Sequence, residues 1–406
     1  MDQPVFEVPM DSFTPASALG APVQALVVGG GLTGVAAAIV CARAGLQTVH
    51  LAPPAPPDRR TSALMQPSVD FLRSAGLVDA PEAIGHPLTR IRIIDATDRL
   101  IRAPETLFDA AEIGLAAFGW NFPNIKLMER FQSVAETLPN LEVRPLGATG
   151  IRRDGNTYHV TLSDGSELNA ELVVGADGKK SLVRSAGGFT VREHAFTQSA
   201  LVCDLELGRP LDGTSVEFHY PQGPFTLVPA GGTRANLVWI DDHAVLDTIR
   251  SSGPEQLQAQ INHKSQRLFG RISVVTPAFV FPLSTLSVDR AGQDGIALVG
   301  EAAHAFPPIG AQGLNLGLRD VADLAAAVAA ADPARPTWSV EAARSYASRR
   351  AADLGRTGGM VDALFRSLIT DLLPAQALRA SGLWALRLAP PLRRRAFSLG
   401  MGVARR

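Results

Sequence analysis

The residues whose spacing carries chemistry here are mostly glycines. Val28-Gly29-Gly30-Gly31-Leu32-Thr33-Gly34 stands near the start, Gly175-Ala176-Asp177-Gly178 in the middle, and Gly300-Glu301-Ala302-Ala303-His304 in the last third. In the first, Gly29, Gly31 and Gly34 permit a tight turn, close approach of a pyrophosphate and close helix–strand packing. The helix that follows offers N–H groups and a partial positive charge to phosphates. The second segment delivers a carboxylate, Asp177, at the end of an apolar strand, and Gly178 lets the backbone pass close to a ligand. Glu301 offers a second acceptor, and His304 could shuttle protons near neutral pH. One glycine fingerprint is weak evidence for any particular cofactor; three in this order say more.

The elements that must hold these residues follow from the apolar pattern. Residues 24–29 read as a buried strand, 33–44 as a small-residue helix ended by Gly45, and 47–51 as a second strand, a βαβ start. Residues 53–57 are proline-dense and predict an extended loop. Helical patterns cover 66–75 and 124–138. A hairpin is expected over 158–162 and 167–174, joined by Ser163-Asp164-Gly165-Ser166. From 187 to 288 strands dominate (200–207, 215–220, 225–229, 235–240), with one helix near 254–269. A short strand at 296–300 precedes a helix over 314–331, and the chain is helical from about 339. The expected class is α/β in the two-domain α+β sense. A Rossmann-like cofactor domain is interrupted by a mainly antiparallel sheet substrate domain, with a helical C-terminus. The expected boundaries are a loose leader (1–22), the first part of the cofactor domain with substrate-side insertions (23–186), the sheet domain (187–288), the second part of the cofactor domain (289–338) and a helical region (339–406).

Composition narrows the classes further. At 46% hydrophobic, 19% charged and net charge −1 over 406 residues, the chain has a generous core and no electrostatic footprint for nucleic acid. Cys41 and Cys203 have neither a disulfide framework nor metal-ligand spacing around them, so no metal is expected and a reducing cytoplasm fits. Residues 12–42 carry no charge, but the glycines and Pro15 and Pro22 exclude a membrane helix, and acids precede the stretch, unlike a signal peptide. Near the C-terminus, Trp384, Leu386, Leu388, Leu392 and Phe397 interleave with Arg387, Arg393, Arg394 and Arg395. Such a segment either lies on an anionic bilayer or packs on the protein with a solvated charged face.

The chain resembles the aromatic-ring flavin hydroxylases, and within them the hydroxylases of ubiquinone biosynthesis, from about residue 25 to about residue 402. Two strings carry the resemblance beside the first glycines. One is Gly175-Ala176-Asp177-Gly178 with Ser181 and Arg184. The other is 297–304 running on through Pro307-Pro308-Ile309-Gly310-Ala311-Gln312-Gly313-Leu314-Asn315-Leu316-Gly317. The resemblance implies one non-covalent FAD. Gly29, Gly31 and Gly34 would sit at its pyrophosphate, Arg60 near its phosphates and ribityl chain, and Asp177 and Gly178 against it. Glu301 would bond a ribityl hydroxyl, and Gly310, Gly313, Leu314 and Asn315 would open the helix aimed at the isoalloxazine. The Pro308 carbonyl would lie nearest the reacting centre, with substrate walls from 215–219, 225–229 and Pro307–Pro308. His304 is mainly structural in that family.

The implied reaction is hydroxylation of a polyprenylated phenol by O2 through a flavin C4a-hydroperoxide. NAD(P)H or a protein electron donor would act as transient reductant. A polyprenylated substrate would give the basic C-terminal segment a reason to lie peripherally at the inner face of the cytoplasmic membrane, the cysteines fit a cytoplasmic place, and a quinone-biosynthesis complex is the expected partner. Three positions depart from the family pattern: Ala52 replaces the acid that binds the adenosine ribose, Met128 a frequent glutamine, and Glu301 an aspartate. They predict weaker FAD retention. They also leave two alternatives, the same chemistry on a small soluble aromatic and an FAD-deficient scaffold.

Overall fold

The computed structural model describes residues 21–97, 102–308, 311–369, 381–382 and 384–400, with side chains of 356–369 and 398–400 outside the description. The first sheet is built on Val23–Val28, which pairs in parallel with Thr48–Leu51 on one side and Glu167–Gly175 on the other. Leu141–Arg144 and Ile296–Leu298 extend it in parallel at the two flanks. Runs such as Leu-Val-Val are apolar on both faces because helices cover both sides of a parallel sheet. The helix Leu32–Arg43 buries Ala36, Ala37 and Ala38 completely, small side chains that let it lie close to the sheet. The hairpin forms as Thr157–Leu162 against Glu167–Gly175, its turn closed by Asp164 accepting from Ser166 N and Oγ.

The second sheet has nine strands. The 17-residue strand Val191–Leu207 pairs antiparallel with Arg234–Asp242 and with Phe279–Val288. Beyond Arg234–Asp242 come Gly223–Pro229 and Thr214–Tyr220. Arg90–Asp95 and Thr106–Asp109, from within residues 23–186, then complete the sheet, the former parallel to Thr214–Tyr220. The helix expected near 254–269 forms as Pro254–Lys264, and a helix the pattern did not mark, His243–Ser251, precedes it. Gly253 at φ +99° breaks the chain between them, and Pro254 starts the second.

A third sheet of Thr61–Met65, Gly119–Pro123 and His86–Leu88 links the other two. Side chains alternate across it. Leu64 and Phe122 enter the core beneath the first sheet, whereas Met65 and Leu88 join Phe108 in an apolar cluster that Val228 of the second sheet also touches. The helix expected at 314–331 begins earlier, as Gln312–Ala329, and is followed by Trp338–Ile369 and Pro390–Gly400. Among the described residues no helix is long and apolar enough to cross a membrane.

Candidate functional site

The three glycine segments meet at backbone distance. Gly29 has φ +127°, and a methyl group there would lie 2.2 Å from the Ala176 carbonyl oxygen. At Gly34 it would lie 1.9 Å from the Gly29 oxygen, so helix, turn and second segment tolerate no side chain at either point. The third segment closes on the same place: Gly300 and Gly317 both rest against Thr33, and a methyl on Gly317 would come within 2.7 Å of Thr33 Oγ1. Gly31 is different. Its φ is −76° and no atom lies within 4 Å of where its Cβ would stand. The protein itself has no need of glycine there; a phosphate approaching the helix start does. The first turn of Leu32–Arg43 has no acidic residue and no side-chain cap, so its N–H groups and positive dipole end are available to an anion. His50 steadies the turn with Nε2 2.9 Å from the Gly29 oxygen. Burial lowers its pKa, against a smaller opposing effect of that bond, so the neutral ring donates. Nothing in the local pattern of the second strand marks this residue.

In the second segment, Asp177 Oδ2 accepts from the N–H of Leu182 (2.7 Å) and Val183 (3.1 Å), starting the short helix Leu182–Ala186. Its other oxygen, Oδ1, is buried without a hydrogen-bond partner. That acceptor is what a ligand hydroxyl would use. Gly178 turns the chain at φ +75°. Arg184 is buried and donates to the carbonyls of Ala302 (2.9 Å) and Lys179 (2.5 Å), binding the second segment to the third.

Glu301 is exposed, and its charge reaches Arg60. The Arg60 guanidinium forks onto Asp58 at 2.8 and 2.9 Å, and Asp58 also accepts from Asn124 Nδ2 at 2.8 Å. Burial works to raise the Asp58 pKa, but the hydrogen bonds from Arg60 and Asn124 and the Arg60 charge outweigh it and hold the carboxyl below its ordinary range. Asp58 is thus engaged in positioning Arg60. At the ribose-acid position, Ala52 packs against Gly30, whose added methyl would meet it at 3.3 Å.

The helix Gln312–Ala329 opens after Ala311 at φ +53°, with no side-chain cap and no acid in its first turn. Gly313 is exposed and Leu314 half-buried. Asn315 departs from a ligand role for its side chain. Oδ1 accepts from Met65 N (2.8 Å) and Ser68 Oγ (2.7 Å), while Nδ2 donates to the carbonyls of Ala63 (2.8 Å) and Ala311 (2.6 Å). With every capacity used, it staples the helix start to the strand Thr61–Met65. Pro308 is exposed beside buried Pro307; Gly310 lies outside the described residues. His304 is buried with Nε2 2.6 Å from Asp320 Oδ2, which also accepts from Gly300 N at 2.8 Å. Arg350 Nε lies 2.7 Å from Asp320 Oδ1, a close ion pair without hydrogen-bond alignment. His304 is held as part of the core.

On the other face of the third sheet, Met65, Leu88, Phe108, Phe118 and Phe397 form a buried cluster against which Ala63, Val228 and Ala311 pack. Of the strands expected as walls, Val228 reaches it, whereas Val216, Phe218, Phe225 and Leu227 point to the opposite face of the sheet, in a separate core with Leu246, Leu257 and Ile261 of the two short helices. The C-terminal segment does two things at once. Phe397 inserts beside Phe108 (5.5 Å) and Phe118 (5.8 Å), and Arg393 pairs with Glu112 at 2.8 Å. Trp384, Leu388 and Leu392 remain 45%, 74% and 46% exposed, with Arg387, Arg394 and Arg395 exposed among them.

Residues 22–354 match the FAD binding domain family. The chain belongs to that family. This flavoprotein is 32% identical over 390 residues to the ubiquinone hydroxylase UbiL of Rhodospirillum rubrum, covering 93% of this chain and 89% of that one. It is 32% identical over 396 residues to the 3-demethoxyubiquinol 3-hydroxylase of Escherichia coli, covering 94% and 99%. Its fold matches the p-nitrophenol 4-monooxygenase PnpA of Pseudomonas putida DLL-E4 with a TM-score of 0.77, at 20% identity over 95% of this chain and 99% of that one. The cradle around Gly31, the orphaned Asp177 oxygen and the two uncapped helix starts suit FAD.

Proposed function

We propose that this flavoprotein hydroxylates the aromatic ring of a polyprenylated phenol on the route to ubiquinone, using O2. The names of the Rhodospirillum rubrum and Escherichia coli relatives support the pathway. The observation that carries the reading is the position of Ala311. It precedes the helix Gln312–Ala329, whose Gly317 touches Thr33 of the cradle, and it packs against the aromatic cluster of Phe108, Phe118 and Phe397. The cofactor side and an apolar cluster therefore share one residue.

In this reading Gly29, Gly31 and Gly34 admit the pyrophosphate, Arg60 faces its charge, and Asp177 Oδ1 and Glu301 accept hydroxyl protons of the cofactor, with Gly178 letting the chain pass. The N–H groups at Gly313 and Leu314 meet negative charge at the ring system. The Pro308 carbonyl borders the substrate ring, and Gly310 belongs to the same loop. Bound FAD supplies the redox chemistry, accepting electrons from NAD(P)H or a protein donor and activating oxygen. The chain's own task is to orient the ring and exclude water, since water diverts activated oxygen to peroxide. The cofactor domain comprises 23–186 and 289–338 around the sheet of 187–288, with the strands Arg90–Asp95 and Thr106–Asp109 working on the substrate side.

Peripheral attachment to the inner face of a cytoplasmic membrane, beside partners of a quinone-biosynthesis complex, fits the exposed Trp384, Leu388 and Leu392 with their arginine rim. Extraction of lipid quinones from cells lacking the chain tests the function: an accumulated prenylated precursor short of one ring hydroxyl is expected, and an unchanged quinone profile overturns it. Co-sedimentation with anionic liposomes tests the surface. Each basic side chain there contributes about 1 kcal/mol, so joint alanine substitution of Arg387, Arg394 and Arg395 should release the protein. Equal sedimentation of both forms would remove the membrane from the proposal.

A further inference from the structure

Asn121 is the one residue of the third sheet whose side chain spans to the nine-stranded sheet and still leaves a polar atom unused. It sits mid-strand in Gly119–Pro123, opposite Ala63 and His86, and is 2% exposed. Its Nδ2 donates to the Pro229 carbonyl (2.9 Å) and to Asn236 Oδ1 (2.8 Å), and Asn236 Nδ2 donates in turn to Asp204 Oδ1 (2.6 Å). A carboxylate and a backbone carbonyl only accept, so the direction of this chain is set from both ends. Flipping the Asn121 amide would put its oxygen against two acceptors. Oδ1 must therefore be the atom left over, and it is buried with no hydrogen-bond partner. The relay spends three polar side chains on holding one acceptor in a fixed place, where an apolar residue would have packed without cost.

The surroundings say what that acceptor meets. Alternation along the strands puts Asn121 on the same face as Ala63 and Met65. Both pack in the aromatic cluster, together with Val228, the neighbour of Pro229, and Ala311 at the start of the cofactor-side helix. The cluster on this face is apolar, and Asn121 borders it with an acceptor that no protein group uses. A ligand matched to it has one hydrogen-bond donor on a ring and an apolar tail.

We propose that Asn121 is a substrate-contacting specificity residue, its Oδ1 accepting the O–H of the phenol and so setting which ring edge faces the cofactor. This rests on the hydroxylase reading above and extends it to one atom. An amide oxygen orients the hydroxyl without taking its proton, and a ring whose oxygen is methylated has no donor to offer. Selection for the free hydroxyl over its methyl ether is the consequence.

The test uses the FAD-loaded protein and two probes of the same shape, a 2-prenylphenol and its methyl ether, with binding read from the perturbed flavin absorbance. Unmodified protein should bind the phenol about tenfold more tightly; equal affinity overturns the proposal whatever any variant does. Asn121→Leu should bring that ratio to about one while FAD affinity is unchanged. Weakening of both probes alike means a purely structural role, and loss of FAD affinity means the oxygen serves the cofactor; either result overturns the proposal. Product analysis separates this from failure of the hydroxylase reading, because a protein that never hydroxylates a prenylated phenol can still show, or fail to show, the preference for the free hydroxyl.

Discussion

Two groups of ionisable side chains lie along the chain around the helix Gln312–Ala329, and they differ in whether opposite charges are brought together. Midway along it, buried Asp320 receives His304, Gly300 N and the Arg350 guanidinium, while Arg350 also meets Asp323 at 2.9 Å and Asp353 at 2.8 Å. Around the glycine segments the pattern reverses: Asp177 keeps a buried oxygen unbonded and without a paired charge, Glu301 is exposed and Gly31 borders open space. Glu301 and His304 stand in one loop, yet one faces out and the other is locked inward. A cluster of paired buried charges holds a fold together, whereas an unpaired acceptor near uncapped helix ends marks where a ligand completes the structure.

The comparison breaks most visibly at Arg350. Arg350→Ala leaves Asp320 buried and uncompensated, at a cost of about 3–5 kcal/mol, which thermal and denaturant unfolding would register. A loss under about 1 kcal/mol would mean that solvent enters and the cluster is not closed.

The glycines sharpen the same contrast. Gly34→Ala forces a methyl to 1.9 Å from the Gly29 oxygen and should destabilise the protein even without cofactor. Gly31→Ala should leave the apoprotein's melting temperature unchanged and lower FAD affinity by at least tenfold, read by fluorescence titration. If the two variants behave alike, Gly31 does not face the cofactor.

Glu301→Ala should alter stability by under about 0.5 kcal/mol, as for an exposed side chain. A lost hydrogen bond to a charged acceptor is worth about 1.5–3 kcal/mol, so FAD affinity should fall about tenfold and oxygen use should uncouple from hydroxylation. Glu301→Asp should restore both. Unchanged affinity in Glu301→Ala would place the ribityl contact elsewhere.

The smallest effect expected is at His50. Its folded pKa lies below the ordinary histidine value of about 6.5, because burial disfavours the charged ring. Above that pH the ring is neutral folded or unfolded and contributes no pH dependence. As pH falls below it, the unfolded chain takes up the proton first, and stability declines until the folded pKa is reached. His50→Gln keeps a donor for the Gly29 carbonyl and should flatten the decline between pH 7.5 and 5.5. A wild-type midpoint that holds steady over that range would show the ring titrating normally.

Much of the cofactor side was legible along the chain because its demands are local. Positive φ at Gly29 and backbone contact at Gly34 exclude any other residue whatever lies far away, and the apolar runs on either side have the period of buried strands. The substrate side was less so. The strand Arg90–Asp95 lies beside Thr214–Tyr220, and the helix His243–Ser251, which the apolar pattern did not mark, precedes Pro254–Lys264. Half of the side chains expected as pocket wall face the opposite core, since a strand serves two faces and its sequence does not say which one the ligand occupies.

Sequence by itself determined the three glycine segments, the first strand–helix–strand unit, the hairpin and the FAD they imply, since steric exclusion at a backbone turn is written in one residue. Only the tertiary structure decided that His304 closes on Asp320 while Glu301 stays outside, that Asn315 holds a helix start, and that Phe397 and Arg393 anchor a segment whose other face stays exposed. It alone carried Asn121 across to Asn236 and Asp204. A hydrogen bond or ion pair between residues tens to hundreds of positions apart constrains no neighbour in the chain, so no spacing announces it until the sheets have brought the partners together.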